Sequence, residues 1–305
     1  MTATRKIQTK RRGNRPGIWF FKTALRFTGL RGAYGLLYFV CAYYLFFDRT
    51  AVRAAKAYIV RRFPAQFYLA RQFTIYRLFV EQGKNLIDRH AMLTGAHQFD
   101  LQINGFEKIP REAGKGFILL TSHLGNWQIV MPALQQMNRT VHLLMRPEDN
   151  AALQEVMQVD AESSHLKVIS PEQHLGGVVE MMQALERGDV VSIMGDRTYQ
   201  ADGVAVYFLG EQAFFPYSAF QLAASAGCPL VILLSAKTGK NRYTADIPDV
   251  LYPVWIQRDK KREQMRGWVQ KYALVLEAYL REHPLQYFIF HDLWEEARQQ
   301  QKASE

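Results

Sequence analysis

An imidazole placed directly after an apolar strand is the feature of this sequence best suited to proton transfer. The run GFILLTSH (116–123) is short and apolar, which predicts a buried strand with His123 at its end. Gly125 permits a tight turn after it, and Asn126 or Gln128 is near enough along the chain to orient the ring. Such a histidine can take a proton from an alcohol that attacks a thioester, although a histidine after a strand also serves purely structural roles.

Two further predicted strands end in polar groups, in MRPEDN (145–150) and MGDRTY (194–199). In α/β sheets the loops at strand ends converge and helix N-termini offer unpaired N–H groups, so chemistry collects there. Arg146 and Arg197 suit the phosphate of a phosphopantetheine arm or of a lipid, through bidentate hydrogen bonds. Each arginine can equally form a salt bridge with a neighbouring acid such as Asp196.

Other common chemistries do not fit the motifs. The sequence has no GxSxG nucleophile elbow, no GxxxxGK[ST] phosphate-binding loop and no HExxH zinc motif. Its two cysteines, Cys41 and Cys228, exclude a disulfide framework, a cysteine-based zinc site and a CxxC redox motif. Both lie in apolar segments and are expected to be buried free thiols.

Past residue 95 the sequence alternates between short apolar runs and helical periodicity. Strands separated by helices predict an α/β fold with a mixed central sheet flanked by helices, mixed because some connections are short. The predicted strands are 116–123, 140–146, 166–170, 189–196, 204–210, 229–238, 242–247 and 286–291. The predicted helices of this part are 126–136, 174–188, 216–227 and 259–282.

The positive charge is confined to the N-terminal quarter. The chain has 305 residues and a net charge of +10. Residues 1–80 contain sixteen Lys and Arg against Asp48 alone, a balance of +15, which leaves −5 for residues 81–305. Such a segment can bind nucleic acid or an anionic bilayer, and its hydrophobic content favours the bilayer.

An apolar segment follows the basic tail. GAYGLLYFVCAYYLFF (32–47) has sixteen residues without a charge, slightly fewer than the roughly 20 that cross a bilayer core. It either spans the membrane, with Arg26 and Arg31 reaching toward headgroups, or lies along the interface as a helix. A third interpretation is an aromatic core helix of a soluble domain.

Residues 51–95 continue with helical spacing and a break at Pro64, and their arginines can extend a surface that faces anionic lipid. The patterns together predict three parts. Residues 1–17 form a basic flexible tail, residues 18–95 form membrane-anchoring and juxtamembrane helices, and residues 96–305 form the α/β domain.

Several ordered blocks of the chain resemble one known family. HLGNW after an apolar strand is similar to the histidine motif, H-x4-D/E, of the lysophospholipid acyltransferase superfamily, in its branch of bacterial lipid A late acyltransferases. LLMRPEDNAAL (143–153) resembles the second block of that branch. Residues 192–231 resemble the block in which an aspartate ends a strand, and FIFHDLW (288–294) resembles the closing aromatic segment. The resemblance covers nearly the whole chain past residue 18.

The resemblance implies an α/β acyltransferase domain in which His123 is the general base. Gly125, Asn126, Arg146 and Arg197 are then expected to contribute to substrate binding. The implied donor is acyl carrier protein or acyl-CoA, and the implied acceptor is a membrane lipid or glycolipid, as in lipid A and lipopolysaccharide synthesis. The expected location is the cytoplasmic face of the bacterial inner membrane, against anionic lipid. No metal or other cofactor is implied, and nucleic acid is not expected as a partner.

One residue departs from the family pattern. Where the family has Asp or Glu, this sequence has Gln128. A carboxylate both orients the histidine and stabilises the imidazolium formed on proton transfer, whereas a neutral amide does far less of the second. Gln128 therefore indicates a slower enzyme, an acid supplied from elsewhere, for which Asp196 is the nearest candidate, or a catalytically silent relative that only binds lipid or carrier protein.

Overall fold

The structure, a computed structural model, describes residues 15–110, 115–134, 138–145, 165–172, 174–198, 203–257, 259–295 and 297. A group of three long helices precedes a domain in which strands and helices alternate. The α-helices are α1 (Arg15–Phe47), α2 (Arg49–Arg62), α3 (Tyr68–Leu93), α4 (Trp127–Leu134), α5 (Val178–Glu186), α6 (Ser218–Ala226) and α7 (Lys261–Glu282). Short 3-10 helices cover Phe106–Lys108 and His174–Gly177.

The strands form three sheets within the described ranges. Their bounds are β1 (Asp100–Asn104), β2 (Phe117–Thr121), β3 (Val141–Leu144), β4 (Leu166–Ile169), β5 (Val190–Met194), β6 (Gly203–Phe208), β7 (Glu211–Pro216), β8 (Leu230–Ile232), β9 (Leu234–Lys237), β10 (Arg242–Asp246) and β11 (Val250–Leu251). The central sheet has the order β11-β8-β2-β5-β3-β4 and is parallel except for β11 at its edge. The strands β1, β10 and β9 form a smaller mixed sheet, and β6 pairs with β7 as a hairpin. The predicted mixed central sheet is confirmed.

Both faces of the central sheet are covered, which explains why its strands are continuous apolar runs. In β2 the side chains alternate between two hydrophobic clusters, with Phe117 and Leu119 in one and Ile118 and Leu120 in the other. The second of these clusters also contains residues of α1, α2 and α3. The N-terminal helices therefore share one apolar core with the sheet.

The long N-terminal helices follow their sequence signals. Asp48 caps α2 by accepting a 2.9 Å hydrogen bond from the Ala51 N–H, and Pro64 lies between α2 and α3. Within α1, Gly29 leaves the helical region with φ 64° and ψ −169°. The segment Thr23–Phe47 is long and apolar enough to cross a membrane, with a mean hydropathy of 1.3. Little of it is buried within the protein.

Two strand predictions need adjustment here, and three strands were not predicted. The stretch 229–238 is not one strand, because the chain leaves the central sheet at Leu233 and continues as β9 in the smaller sheet. The stretch 204–210 pairs with β7, which the sequence did not indicate, through a tight turn in which Leu209 and Gly210 both have positive φ. The short strands β1 and β11 were also not predicted.

The predicted strand at 286–291 is wrong. Tyr287 makes only an isolated antiparallel bridge, with Leu124 in the turn after β2. Its neighbours pair with the same turn, since the Phe288 N–H donates to the His123 carbonyl at 2.7 Å. The aromatic run closes over an irregular turn, so no ladder can propagate.

Candidate active site

The register of two parallel strands brings a histidine and an aspartate together. β2 and β5 are neighbours in the central sheet, with Thr121 opposite Met194. His123 and Asp196 each lie two residues past the end of their strand. Equal offsets from a parallel pair reach the same edge of the sheet. The site therefore forms at the carboxyl edge, where the sequence patterns predicted it.

One carboxylate holds His123 at two points. Asp196 Oδ1 lies 2.8 Å from the imidazole Nδ1, and Asp196 Oδ2 accepts the backbone N–H of His123 at 2.7 Å. The Asp196 side chain is fully buried, whereas 22% of the His123 side chain is exposed. The imidazole is thus fixed from the protein side and open on the other.

This contact selects the tautomer of the ring. A carboxylate only accepts hydrogen bonds, so Nδ1 of His123 must carry the hydrogen, and Nε2 of the neutral ring is left with its lone pair. No hydrogen bond joins Nε2 to another group in the part of the chain that the structure describes. The ring is arranged to accept a proton at Nε2 while Asp196 stabilises the charge that follows.

Buried phenols surround the Asp196 carboxylate. Burial, and next the charge of Asp196, raise the pKa of Tyr272 and Tyr287 well above the ordinary tyrosine value. Both rings therefore stay neutral at any pH the protein meets. The Tyr272 hydroxyl donates to the Thr121 carbonyl at 3.1 Å, at the end of β2. Sequence reasoning missed these residues, because an aromatic in an apolar run resembles ordinary core.

Gly125 makes the turn after His123 possible. Its φ is 60°, and a Cβ at this position would lie 1.9 Å from the Ser235 carbonyl oxygen. A larger residue would fit neither the backbone conformation nor the space. The Gly125 N–H donates to the Gln286 carbonyl at 2.9 Å, so this amide is already bonded. The amide could stabilise an oxyanion only if that bond broke.

The two polar residues expected to orient the imidazole face α3 instead. The Gln128 side-chain oxygen accepts a hydrogen bond from the Arg89 guanidinium, and the Asn126 amide donates to the Asn85 carbonyl at 3.1 Å. The Asn85 side chain in turn donates to the Gly125 carbonyl. Asp196, rather than Asn126 or Gln128, orients the ring.

The face of α3 that holds this turn also carries a buried charge pair. Asp88 is fully buried, and its carboxylate accepts from Lys237 Nζ at 2.5 Å, from the Tyr243 hydroxyl at 2.5 Å and from the Tyr34 hydroxyl of α1. Lys237 Nζ also donates to the Tyr34 oxygen at 2.9 Å. The network joins α1, α3 and the smaller sheet. Sequence reasoning missed it, because polar residues at helical spacing resemble a solvated face.

The two predicted arginines have different outcomes. Arg146 lies outside the described residues. Arg197 directly follows Asp196 and is partly buried, and after burial its charge is the largest factor that lowers the pKa of the His291 imidazole. Arg197 therefore lies near the predicted site, beside the closing aromatic segment.

A histidine paired with a carboxylate at a strand end has the composition of a general acid–base site, and comparison with known families gives its class. Residues 74–296 match the model of the bacterial lipid A biosynthesis acyltransferases. The protein is therefore an acyltransferase. The chain belongs to this family, and the match includes the His123 turn and most of α3.

Among solved structures, the 1-acyl-sn-glycerophosphate (LPA) acyltransferase PlsC from Thermotoga maritima is similar, with a TM-score of 0.39 and 14% sequence identity. The alignment covers 84% of this chain and 99% of that one. No curated protein matches the chain in sequence. The family match therefore carries the classification.

Proposed function

We propose that this acyltransferase moves a fatty-acyl group from a thioester, on acyl carrier protein or coenzyme A, to a hydroxyl of a lipid A-like glycolipid or a related membrane lipid. The observation that carries the proposal is the 2.8 Å contact between His123 Nδ1 and Asp196. It leaves Nε2 of a partly exposed ring available to the acceptor hydroxyl. Family membership supports the acyl chemistry and the choice of a lipid acceptor.

The proposed reaction is direct transfer. As the acceptor oxygen attacks the thioester carbonyl, its proton moves to Nε2 of His123. The carbon–oxygen bond forms, the carbon–sulfur bond breaks, and the departing thiolate takes the proton back from the imidazolium. Asp196 stabilises that imidazolium. No acyl-enzyme forms, so the intact mass of the protein stays unchanged during turnover.

In this scheme His123 has a carboxylate partner even though residue 128 is a glutamine. The carboxylate comes from Asp196, which is the second of the three possibilities that the departure from the family motif indicates. Gln128 serves instead to hold Arg89 and, through it, α3 against the turn. This arrangement favours an active enzyme over a silent lipid-binding relative.

The substrate groups other than the acyl chain are assigned on chemistry. Arg146 and Arg197 are proposed to bind the phosphate of the donor arm or of the lipid, because guanidinium groups pair with phosphate in a bidentate way. Gly125 and Asn126 are proposed to shape the acceptor side of the turn. The apolar segment of α1 and the cationic N-terminal quarter support a location on the cytoplasmic face of the bacterial inner membrane.

A transfer assay tests the proposal. Purified protein in detergent is mixed with acyl carrier protein or coenzyme A carrying a labelled acyl group, and with a crude lipid extract. We expect transfer by the wild type and a fall of about 10²–10⁴-fold in His123→Ala. A wild type that transfers nothing, and that His123→Ala does not change, would establish the silent relative instead. The labelled lipid identifies the acceptor, and the two donors are compared directly.

A further inference from the structure

The helix α1 has two unlike faces. Ala33, Leu37 and Cys41 are buried at spacings of four residues and face the rest of the protein. The opposite face exposes large apolar side chains to the surroundings. Its members are Tyr38, Phe39, Tyr43, Phe46 and Phe47. A helix that is apolar on its outer face, within a protein that is charged elsewhere, needs an apolar neighbour there.

On its inner side, α1 runs antiparallel to α3. Tyr34 bonds to Asp88, and Leu37 packs so closely on Gly83 that a Cβ there would lie 2.3 Å from a Leu37 methyl carbon. Further along, the Tyr76 hydroxyl donates to the Tyr38 carbonyl at 3.2 Å. The two helices therefore lie side by side over much of the apolar segment.

This arrangement places charges at the middle of the segment. Thr23–Phe47 has its midpoint next to Tyr34, where Asp88 and Lys237 meet. Lys84 lies 6.0 Å from the ring centre of Tyr34 on the same side. If α1 crossed a bilayer, these ionised groups and part of the catalytic domain would sit at the centre of the hydrocarbon, where charges are strongly disfavoured.

We propose that α1 does not span the membrane but lies along its surface, with its outer face in the acyl region and the buried Asp88–Lys237 pair toward the aqueous side. The inference rests on the membrane association proposed above, and it selects a helix along the interface over a helix that spans the bilayer. It keeps Asp88 and Lys237 out of the hydrocarbon while it buries the exposed aromatics.

The start of α3 adds to this surface. Antiparallel packing brings it toward the end of α1, and it exposes Phe67, Tyr68, Leu69 and Phe73. Phe73 stacks on Tyr76, which is bonded to α1. We name the exposed aromatic and aliphatic residues of α1 and of the start of α3 the anchor surface.

The charges around the anchor surface identify its occupant. Exposed arginines lie at both ends of the apolar face, Arg26 and Arg31 before it and Arg49 and Arg53 after it. An apolar strip with cations at its ends matches an anionic bilayer, which offers hydrocarbon below phosphate.

A labelling experiment tests the topology. In a variant whose native cysteines are replaced by alanine, single reporter cysteines are introduced by Thr9→Cys in the basic tail and by Ser304→Cys. Sealed vesicles are treated with a membrane-impermeant maleimide before and after permeabilisation. We expect both reporters to react from the same side. Reaction of Thr9→Cys only after permeabilisation, with Ser304→Cys already labelled, would show a spanning helix and overturn the inference. That result would leave the proposed acyl transfer standing, because it concerns only the topology of α1.

Vesicle flotation tests the surface itself. The double variant Phe39→Ser/Phe46→Ser should bind vesicles containing anionic lipid at least about tenfold more weakly than the wild type. Ile256→Ser is the matched control, since Ile256 is 84% exposed, against 78% for Phe39, but lies outside the anchor surface. Equal loss in both variants would overturn the assignment. The assignment would also be overturned if the wild type were a dimer and the double variant a monomer with unaltered flotation, because a second copy would then cover the face.

Discussion

Both oxygens of the Asp196 carboxylate bind one residue, and this fixes His123 more completely than a ring contact alone. The backbone N–H and Nδ1 of His123 are 2.7 and 2.8 Å from the two oxygens. The carboxylate thus sets the tautomer, the ring orientation and the position of the residue. Each of these matters for the proposed proton transfer, in which Nε2 points at the acceptor hydroxyl.

Asp196→Asn should therefore separate structure from catalysis. The amide oxygen can replace one acceptor, but its NH₂ group disfavours the hydrogen on Nδ1. We expect kcat to fall by roughly 10²–10⁴-fold because the wrong tautomer is selected. The melting temperature reports whether the fold survives. Activity within a few-fold of wild type in a folded variant would contradict the proposed role.

Gln128→Glu gives the opposite kind of test. Burial lowers the pKa of the Arg89 guanidinium, and Gln128 offers it only a neutral oxygen. A carboxylate there should raise the free energy of unfolding by about 1 kcal/mol, because charge-assisted hydrogen bonds are stronger than neutral ones. Since Gln128 does not bond to His123, kcat should change by less than about threefold.

The opposite result for Gln128→Glu would contradict the assignment of Asp196. A rise in kcat of about tenfold or more in Gln128→Glu would show that residue 128, and not Asp196, orients the histidine. Gln128→Met is the matched control. It removes the acceptor from Arg89 at similar volume and should lower stability without restoring a carboxylate.

Among the elements of the fold, helix α3 holds the turn that carries His123 through hydrogen bonds. Asn85, Asp88 and Arg89 share one face of the helix at spacings of three and four residues. Asn85 and Arg89 bond to the His123 turn, and Asp88 bonds to Lys237 and to α1. A single helix thereby connects the catalytic turn to the N-terminal helix.

Removing one member of the buried pair should be costly. Asp88→Ala leaves the Lys237 ammonium without its carboxylate, and we expect a loss of about 3–5 kcal/mol in the free energy of unfolding. The double variant Asp88→Leu/Lys237→Met should recover much of that loss, because no unpaired charge is left. Lys84→Met is the control, since Lys84 pairs with Glu81 at a partly exposed site and its loss should cost about 1 kcal/mol or less. Thermal or denaturant unfolding in detergent measures all of these.

The segment after α7 closes over the site and carries two histidines that are expected to make the fold acid-sensitive. Burial lowers the pKa of His283 and His291 from their ordinary value. Such groups bind protons more readily when unfolded, so stability is complete above the unfolded value near 6.5 and falls as the pH drops toward the folded values. We expect the melting temperature to decline between about pH 7 and pH 5.

The double variant His283→Gln/His291→Gln should flatten that decline, because neither amide titrates. Melting curves at a series of pH values measure the slope directly. An unchanged slope would assign the acid sensitivity to other groups.

Much of this arrangement follows from sequence, and the remainder depends on strand order. The apolar runs locate β2 and β5 and place His123 and Asp196 at their ends. Their meeting depends on β5 lying directly beside β2, although β3 and β4 come between them in the chain. Sequence spacing does not encode that crossover. For the same reason Gln128, the nearer residue in sequence, was the natural partner to expect.

The elements that sequence reasoning missed are those defined by their partners. The strand β7 exists because the turn at Leu209 and Gly210 folds it onto β6. The stretch 286–291 is as apolar as a strand but meets only a turn. Local pattern gives the propensity of a segment, and tertiary pairing decides its conformation.

For the whole molecule, charge is distributed in two parts. The +15 of residues 1–80 and the −5 of the remainder give the protein a cationic N-terminal quarter and a mildly acidic body. Cations near an anionic bilayer contribute around 1 kcal/mol each, and salt screens this attraction.

Membrane binding should accordingly have a salt-dependent and a salt-independent part. Vesicles with anionic lipid should bind the protein more tightly than zwitterionic vesicles at low salt, and the difference should shrink as the Debye length falls from about 10 Å at 0.1 M toward about 3 Å at 1 M. Residual binding at high salt measures the apolar contribution. Flotation across a salt series gives both. Equal binding to the two kinds of vesicle at low salt would show that the positive charge serves another partner.

If α1 lies along the membrane as proposed, the contacts of α3 also set the distance between His123 and the membrane. Asn85 and Arg89 form hydrogen bonds with the His123 turn, and Asp88 forms one with α1. In the proposed arrangement, these bonds keep the imidazole from moving toward or away from the membrane surface along which α1 lies. On the proposed function, the base is then held at a fixed distance from the lipid surface. A hydroxyl that lies deeper or shallower would not reach it, however well the rest of its headgroup fits. We expect the protein to select among the hydroxyls of one glycolipid by their depth.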